Sequence, residues 1–92
     1  MEPNTYRFIH DPGHGWIEVP LSELSALNIT DRISPYSYID PAGQFAYLEE
    51  DCDAAIFEAA LISAGIEANF VDTYQDPTPI RGFQRYPASM DS

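Results

Sequence analysis

Two pairs of short alternating segments, each joined by proline and glycine turn chemistry, constrain this chain more than any other feature of it. Thr5-Tyr-Arg-Phe-Ile-His10 alternates, Asp11-Pro-Gly-His-Gly15 turns, and Trp16-Ile-Glu-Val19 alternates again, which is the pattern of a β-hairpin with a longer loop. Tyr36-Ser-Tyr-Ile-Asp40 and Phe45-Ala-Tyr-Leu-Glu49 repeat the arrangement around Pro41-Ala-Gly-Gln44. A period of two belongs to strands, so the chain must build a sheet.

Between the hairpins the spacing changes. Pro20 stops the strand, and Leu21, Leu24 and Leu27 recur at helical intervals with Glu23 in the first turn, where negative charge suits the helix dipole. This predicts a helix of about two turns, ended by Asn28 in the left-handed conformation with Ile29 folding back on it in a Schellman arrangement. Gly65-Ile66 has the same grammar. The intervening run from Ala54 to Ala64 consists mostly of good helix formers and predicts a helix from Asp53 to Ala64. Its expected buried stripe is Phe57, Leu61 and Ala64, with Ala54 and Ala60 beside them. A last strand is expected from Ile66 to about Tyr74. Pro77, Pro79 and Pro87 forbid a long regular element after it. Residues 1–76 thus form one domain, and 77–92 an extended tail that pairs briefly near Ile80 to Phe83. The order ββαββαβ implies an α+β fold, a mainly antiparallel sheet with both helices on one face.

Alternation sorts the strand residues into two sets. Ile9, Ile17, Val19, Ile39, Leu48 and Val71 suit a helix-covered core. The second set mixes rings with carboxylates: Tyr6, Phe8, His10, Trp16, Glu18, Tyr36, Tyr38, Asp40, Phe45, Tyr47, Glu49, Phe70, Asp72 and Tyr74. That face either looks outward as a binding surface or is covered by the proline-rich tail or a second copy of the chain.

Charge narrows the function classes. With 15 Asp and Glu against four Arg and no Lys, the net charge is −11, so direct binding to nucleic acid is not expected. At 45% hydrophobic and 13% aromatic residues the chain is nonetheless rich enough to fold. Ninety-two residues leave no room for a large catalytic fold. The single Cys52 forms no internal disulfide, no signal-peptide pattern is present, and the longest apolar stretch, Ala54 to Ile66, is interrupted by Glu58 and too short to span a bilayer. A soluble cytoplasmic protein with no membrane partner is the expectation.

No motif announces a reaction. His10, Asp11 and His14 use the vocabulary of a metal site, but a Gly-rich turn is a poor platform for further ligands, and Asp11-Pro-Gly reads more simply as turn chemistry. A small metal-dependent enzyme built on those three residues is the remotest alternative, and no cofactor is expected. Glu49, Glu50, Asp51 and Asp53 stand where a strand hands over to a helix, so Asp51 or Asp53 reads as a cap and the rest as a solvated cluster. Carboxylates on both sides of Cys52 disfavour its thiolate. G-x-S-x-G elbows, phosphate-binding Gly loops and paired zinc cysteines are absent from the sequence. Arg7, Arg32, Arg81 and Arg85 are dispersed and read as counter-ions for neighbouring carboxylates.

The strings His10-Asp-Pro-Gly-His-Gly-Trp16, Tyr36-Ser-Tyr38 and Ala46-Tyr-Leu-Glu-Glu-Asp-Cys-Asp-Ala54 resemble those of small proteins encoded by bacteriophages, prophages and plasmids. By size, acidity and that setting the chain is also similar to phage-encoded inhibitors of bacterial defence, the DNA-mimicking anti-CRISPR and anti-restriction proteins. The resemblance implies a non-enzymatic inhibitor whose partner is a host complex with a basic nucleic-acid-binding surface, such as a CRISPR effector. Glu18, Asp40, Glu49, Glu50, Asp51, Asp53 and Asp72 would then be the anionic contacts, and Trp16, Tyr38 and Tyr47 the anchors. The alternative is a phage accessory module for protein–protein interaction, or a homodimer, whose acidity serves solubility.

Overall fold

The computed structural model describes residues 4–86. Among them the strands are β1 (Thr5–His10), β2 (Gly15–Pro20), β3 (Tyr38–Ile39), β4 (Phe45–Glu49), β5 (Asn69–Tyr74) and β6 (Gln84–Arg85), and the helices are α1 (Leu21–Ala26) and α2 (Ala54–Ser63). They form one sheet in the order β5-β1-β2-β4-β3-β6. Every pairing is antiparallel except β1 with β5. The α+β class and the ββαββαβ order are as expected, with β6 appended. Since β4 and β5 both run parallel to β1, α2 must cross the sheet over β2 and β1 to join them.

Both helices end as their sequences imply. Asn28 and Gly65 take positive φ, 61° and 72°, and the amides of Ile29 and Ile66 donate to the Leu24 and Leu61 carbonyls. These are Schellman closures that satisfy otherwise orphaned carbonyls. The helices bury Leu24, Ala54, Phe57 and Leu61 against Tyr6, Ile17, Val19, Ala46 and Leu48 of the sheet. Phe57 meets the Tyr6 ring edge-on at 5.1 Å, and the Tyr6 hydroxyl donates to Glu23 of α1. Burial and then that bond push the Tyr6 hydroxyl well above its ordinary pKa. Ala64, expected in the stripe, is exposed because α2 has already ended.

The register corrects the sorting of β1 and β5. The turn closed by the Asp11 amide on the His14 carbonyl pairs His10 with Gly15 and Phe8 with Ile17, so Tyr6, Phe8 and His10 share the helix-covered face with Ile17 and Val19. Ile9 goes to the other face, with Trp16 and Tyr47. Parallel pairing carries the inversion outward: Phe70, Asp72 and Tyr74 align with Tyr6, Phe8 and His10, and Val71 moves away from the helices. A one-residue difference in register moves every side chain of a strand to the opposite face. Gly15 is part of the same device, since a β-carbon there would strike the Phe8 ring.

Residues 77–86 do not trail from the sheet. A 3₁₀ turn at Pro79–Gly82 buries Ile80, and β6 pairs with β3 at Gln84–Arg85 rather than at Ile80 to Phe83. Ile80, with Phe83 partly buried beside it, closes a second small core over Ile9, Trp16 and Tyr47. Tyr86 returns to the helix-side core, where its hydroxyl donates to the Thr30 carbonyl at 2.6 Å. The remainder of the expected tail, 87–92 with Pro87, lies outside the described residues.

Candidate interaction surface

The sheet face opposite the helices carries most of the residues expected to touch a partner, and the C-terminal segment covers it. Arg81 forks onto Asp11, Nε to Oδ2 at 2.6 Å and Nη2 to Oδ1 at 3.0 Å, while the amides of Gly13 and His14 donate to Asp11 Oδ1 at 2.9 and 2.8 Å. The Arg81 bond holds the Asp11 carboxyl well below the usual carboxylate range, with the two amides assisting against burial. The guanidinium lies 5.5 Å from the centre of the Trp16 ring. Beneath this cover Trp16 is 2% exposed and Tyr47 7%. Neither is an anchor for a partner; both are core, because the segment that supplies Ile80 has taken that place. The Trp16 indole N–H has no hydrogen-bond partner among the described residues. Tyr38 is half-buried, with the Arg85 guanidinium 5.1 Å from its ring centre.

Four of the seven expected anionic contacts are likewise engaged within the fold. Glu18 accepts both prongs of Arg7 at 2.9 and 2.8 Å and the Tyr47 hydroxyl at 2.9 Å. Burial alone would raise its pKa, but these bonds bring it below the ordinary value, and in return burial and Glu18 raise that of Tyr47. Asp40 Oδ1 accepts the Gln44 and Phe45 amides at 2.8 and 3.0 Å, closing the hairpin turn. Glu49 is buried, accepts the Asp51 amide at 2.8 Å and stands 3.5 Å from His14.

Asp53 precedes α2, but its side chain makes no cap bond. It is 2% exposed and accepts instead from the Ser34 amide, the Ser34 hydroxyl and the Ser37 hydroxyl. The Ser37 oxygen accepts in turn from the Glu49 amide at 3.0 Å. A carboxylate gains more from such charge-assisted bonds than from a partial helix dipole, so Asp53 pins the loop before β3 to the start of α2. As surface contacts, Glu49 and Asp53 are therefore corrected to buried structural groups, and Glu18 and Asp40 to bonded ones.

Glu50, Asp51 and Asp72 remain exposed, and the topology gathers two of them on the helix side. Glu50 follows β4, Asp72 lies on β5, and Glu58 projects from α2; the three line one groove of about 450 Å³ floored by Phe8, Ile17 and Phe70. No arginine lines it. Arg7 is spent on Glu18 on the other face, Arg32 lies in a separate groove near Asn28 and Ala64, and Arg81 and Arg85 border a polar hollow with Trp16, Tyr38 and Asp51. Among the basic side chains of the described residues only His10 approaches the acidic groove, its Nε2 3.4 Å from Asp72. This groove thus keeps its carboxylates free of arginine, while Arg81 and Arg85 lie across the sheet beside Asp51 and Arg32 lies in its own groove between the helices. Sequence reading missed Glu58, which had a signal as the one charge in an otherwise apolar helix. Phe70 stood in the set of rings and carboxylates that could look outward but was not named among the contacts.

The remaining chemistry-bearing side chains are drawn apart. His10 turns toward Asp72, Asp11 to Arg81, and His14 toward Glu49. Among the described residues no group of three or more His, Cys, Asp or Glu side chains is placed to hold one metal ion. Loss of solvation, a hydrogen bond to Glu49 and the charges of Glu49, Asp53 and Asp51 raise the Cys52 thiol above its ordinary pKa, which suppresses the nucleophilic form. No helix among the described residues is long and apolar enough to cross a membrane. Comparison with protein-family models, curated proteins and solved structures finds no match to this chain, so the surface is read from its own geometry.

Proposed function

We propose that this protein is a non-enzymatic inhibitor of a bacterial defence complex, of the anti-CRISPR kind, which acts in the host cytoplasm by covering a basic nucleic-acid-binding surface and excluding DNA. The observation that carries the reading is the arginine-free groove flanked by Glu50, Glu58 and Asp72. Duplex DNA presents about one charge per 1.7 Å of its axis, and proteins that grip it do so with Lys and Arg. A folded anion that presents such an arginine-free groove of carboxylates competes for that surface, and electrostatic steering makes the association fast and salt-sensitive. Glu50 and Asp72 keep the role expected of them and Glu58 joins them in the groove, while Asp51, also exposed, stands apart in the hollow bordered by Arg81 and Arg85. The apolar contribution comes from Phe70 rather than from Trp16 and Tyr47.

Competition binding tests the reading. The protein is expected to displace labelled target DNA from a CRISPR effector at low salt, to lose potency as salt rises, and to lose at least tenfold in the E50Q/E58Q/D72N variant. If DNA binding by a panel of effectors is unchanged at low salt, the reading fails.

A further inference from the structure

The two edges of the sheet are not alike. β6 ends one side with two residues, one of them Arg85, which is a blunted edge. β5 ends the other with six residues, all but Thr73 exposed, and no described strand pairs on its outer side. The amides of Asn69 and Gln75 donate inward, to the Asn4 and His10 carbonyls of the β1 side. By the two-residue period, the N–H and C=O groups of Phe70, Asp72 and Tyr74 point to the open edge. Those three residues also align with the helix-facing residues of β1, and Phe70 is 42% and Tyr74 60% exposed.

The acidic groove continues along this edge. A second groove, about 540 Å³, shares Glu58 and Phe70 with the first and adds Ile62 and Glu67. Ile62 is 78% exposed. The result is a trough between α2 and β5 with an apolar floor, the carboxylates of Glu50, Glu58, Glu67 and Asp72, no arginine lining, and a free row of backbone donors and acceptors along one wall. Charge selects its occupant. A second copy of the chain is disfavoured, because pairing β5 with itself about its centre sets the two Asp72 carboxylates in neighbouring positions, backed by bodies of net charge −11.

We infer that β5 is a docking strand, and that the trough takes an extended segment of the partner protein in which basic side chains alternate with apolar ones, added to the sheet as a seventh strand. Main-chain bonds to Phe70, Asp72 and Tyr74 give the segment its register, and its basic side chains facing α2 meet Asp72 and Glu58. This rests on the acidic-surface reading above and names the kind of element that the surface grips.

The probe is a synthetic heptapeptide of alternating Arg and Val, followed by fluorescence anisotropy against the full chain. Three comparisons accompany it: the same peptide N-methylated at alternate residues in each of the two phases, the E58Q/D72N variant, and the Y74P variant, which removes an outward N–H that the sheet does not use. Binding is expected to weaken at least tenfold with one of the methylated phases and with each variant. Circular dichroism and an unchanged unfolding midpoint establish that the variants are folded. Equal affinity for the parent peptide and both methylated forms, which carry the same charge, overturns strand addition while leaving the acidic-surface reading standing. Peptide binding with the expected losses, beside unchanged DNA binding by the effectors, upholds the docking strand and removes the inhibitor reading. A dimer in sedimentation that Y74P dissociates assigns the edge to a second copy and overturns the inference.

Discussion

The two faces of the sheet are closed by different means. On one, α1 and α2 bury Leu24, Phe57 and Leu61 against five strand residues, and the contact is mostly area removed from water. On the other, the segment 77–86 brings one wholly buried aliphatic side chain, Ile80, and holds its place through the Arg81–Asp11 fork and a two-residue pairing with β3. The first closure is distributed over many contacts, whereas the second depends on a few specific bonds. Chemical conditions and single substitutions should therefore separate them.

The largest effect is expected from Phe57→Ala, which opens the helix-side core where α2 crosses the sheet. A loss of about 3–5 kcal/mol should appear in urea unfolding as a lower midpoint. Asp53→Asn comes next, since it removes the charge from an acceptor of three hydrogen bonds at the loop before β3. A loss of about 2–3 kcal/mol is expected, with faster amide exchange at Ser34. A loss no larger than that of an exposed substitution would show that the buried carboxylate is not what pins this loop.

Ile80→Ala sharpens the contrast directly. It should cost about 2 kcal/mol, at the low end of the range for such truncations because the site can collapse. Trp16 is the single tryptophan and lies under Ile80, so its emission should shift to the red in the folded variant. Phe57→Ala should leave the emission of the folded protein unchanged, and a red shift there would show that the two cores are not separate.

The smallest effect is one of pH. Asp11 has its carboxyl depressed by Arg81 and by two amides, so its contribution to stability is complete above the ordinary carboxylate pKa of about 3.9 and is lost as pH falls through the lower folded value. Acid should therefore loosen the C-terminal cover, read as a change in Trp16 emission below about pH 4. Asp11→Asn should remove that step, and an unchanged acid profile in the variant would mean that the fork does not hold the cover.

Much of the fold was legible in local chemistry. The turns, both Schellman closures and the ββαββαβ order follow from Pro, Gly and Asn positions and from the period of the apolar residues, all interactions between near neighbours in the chain. The site was less legible. Glu50, Asp51 and Asp72 kept the exposure expected of them, but Trp16, Tyr47, Glu49 and Asp53 did not. No local pattern distinguishes a carboxylate that meets water from one that meets Ser34 and Ser37, residues 19 and 16 positions away.

The sequence by itself determined that this chain forms strands and helices in that order, and that it carries a strong surplus of negative charge, because periodicity, turn preference and ionisation are properties of short segments. Tertiary structure alone decided which charges stay free. The side on which a strand residue lies depends on the register of a pairing with a distant partner, and whether a ring or carboxylate is covered depends on where residues 77–86 return to the sheet.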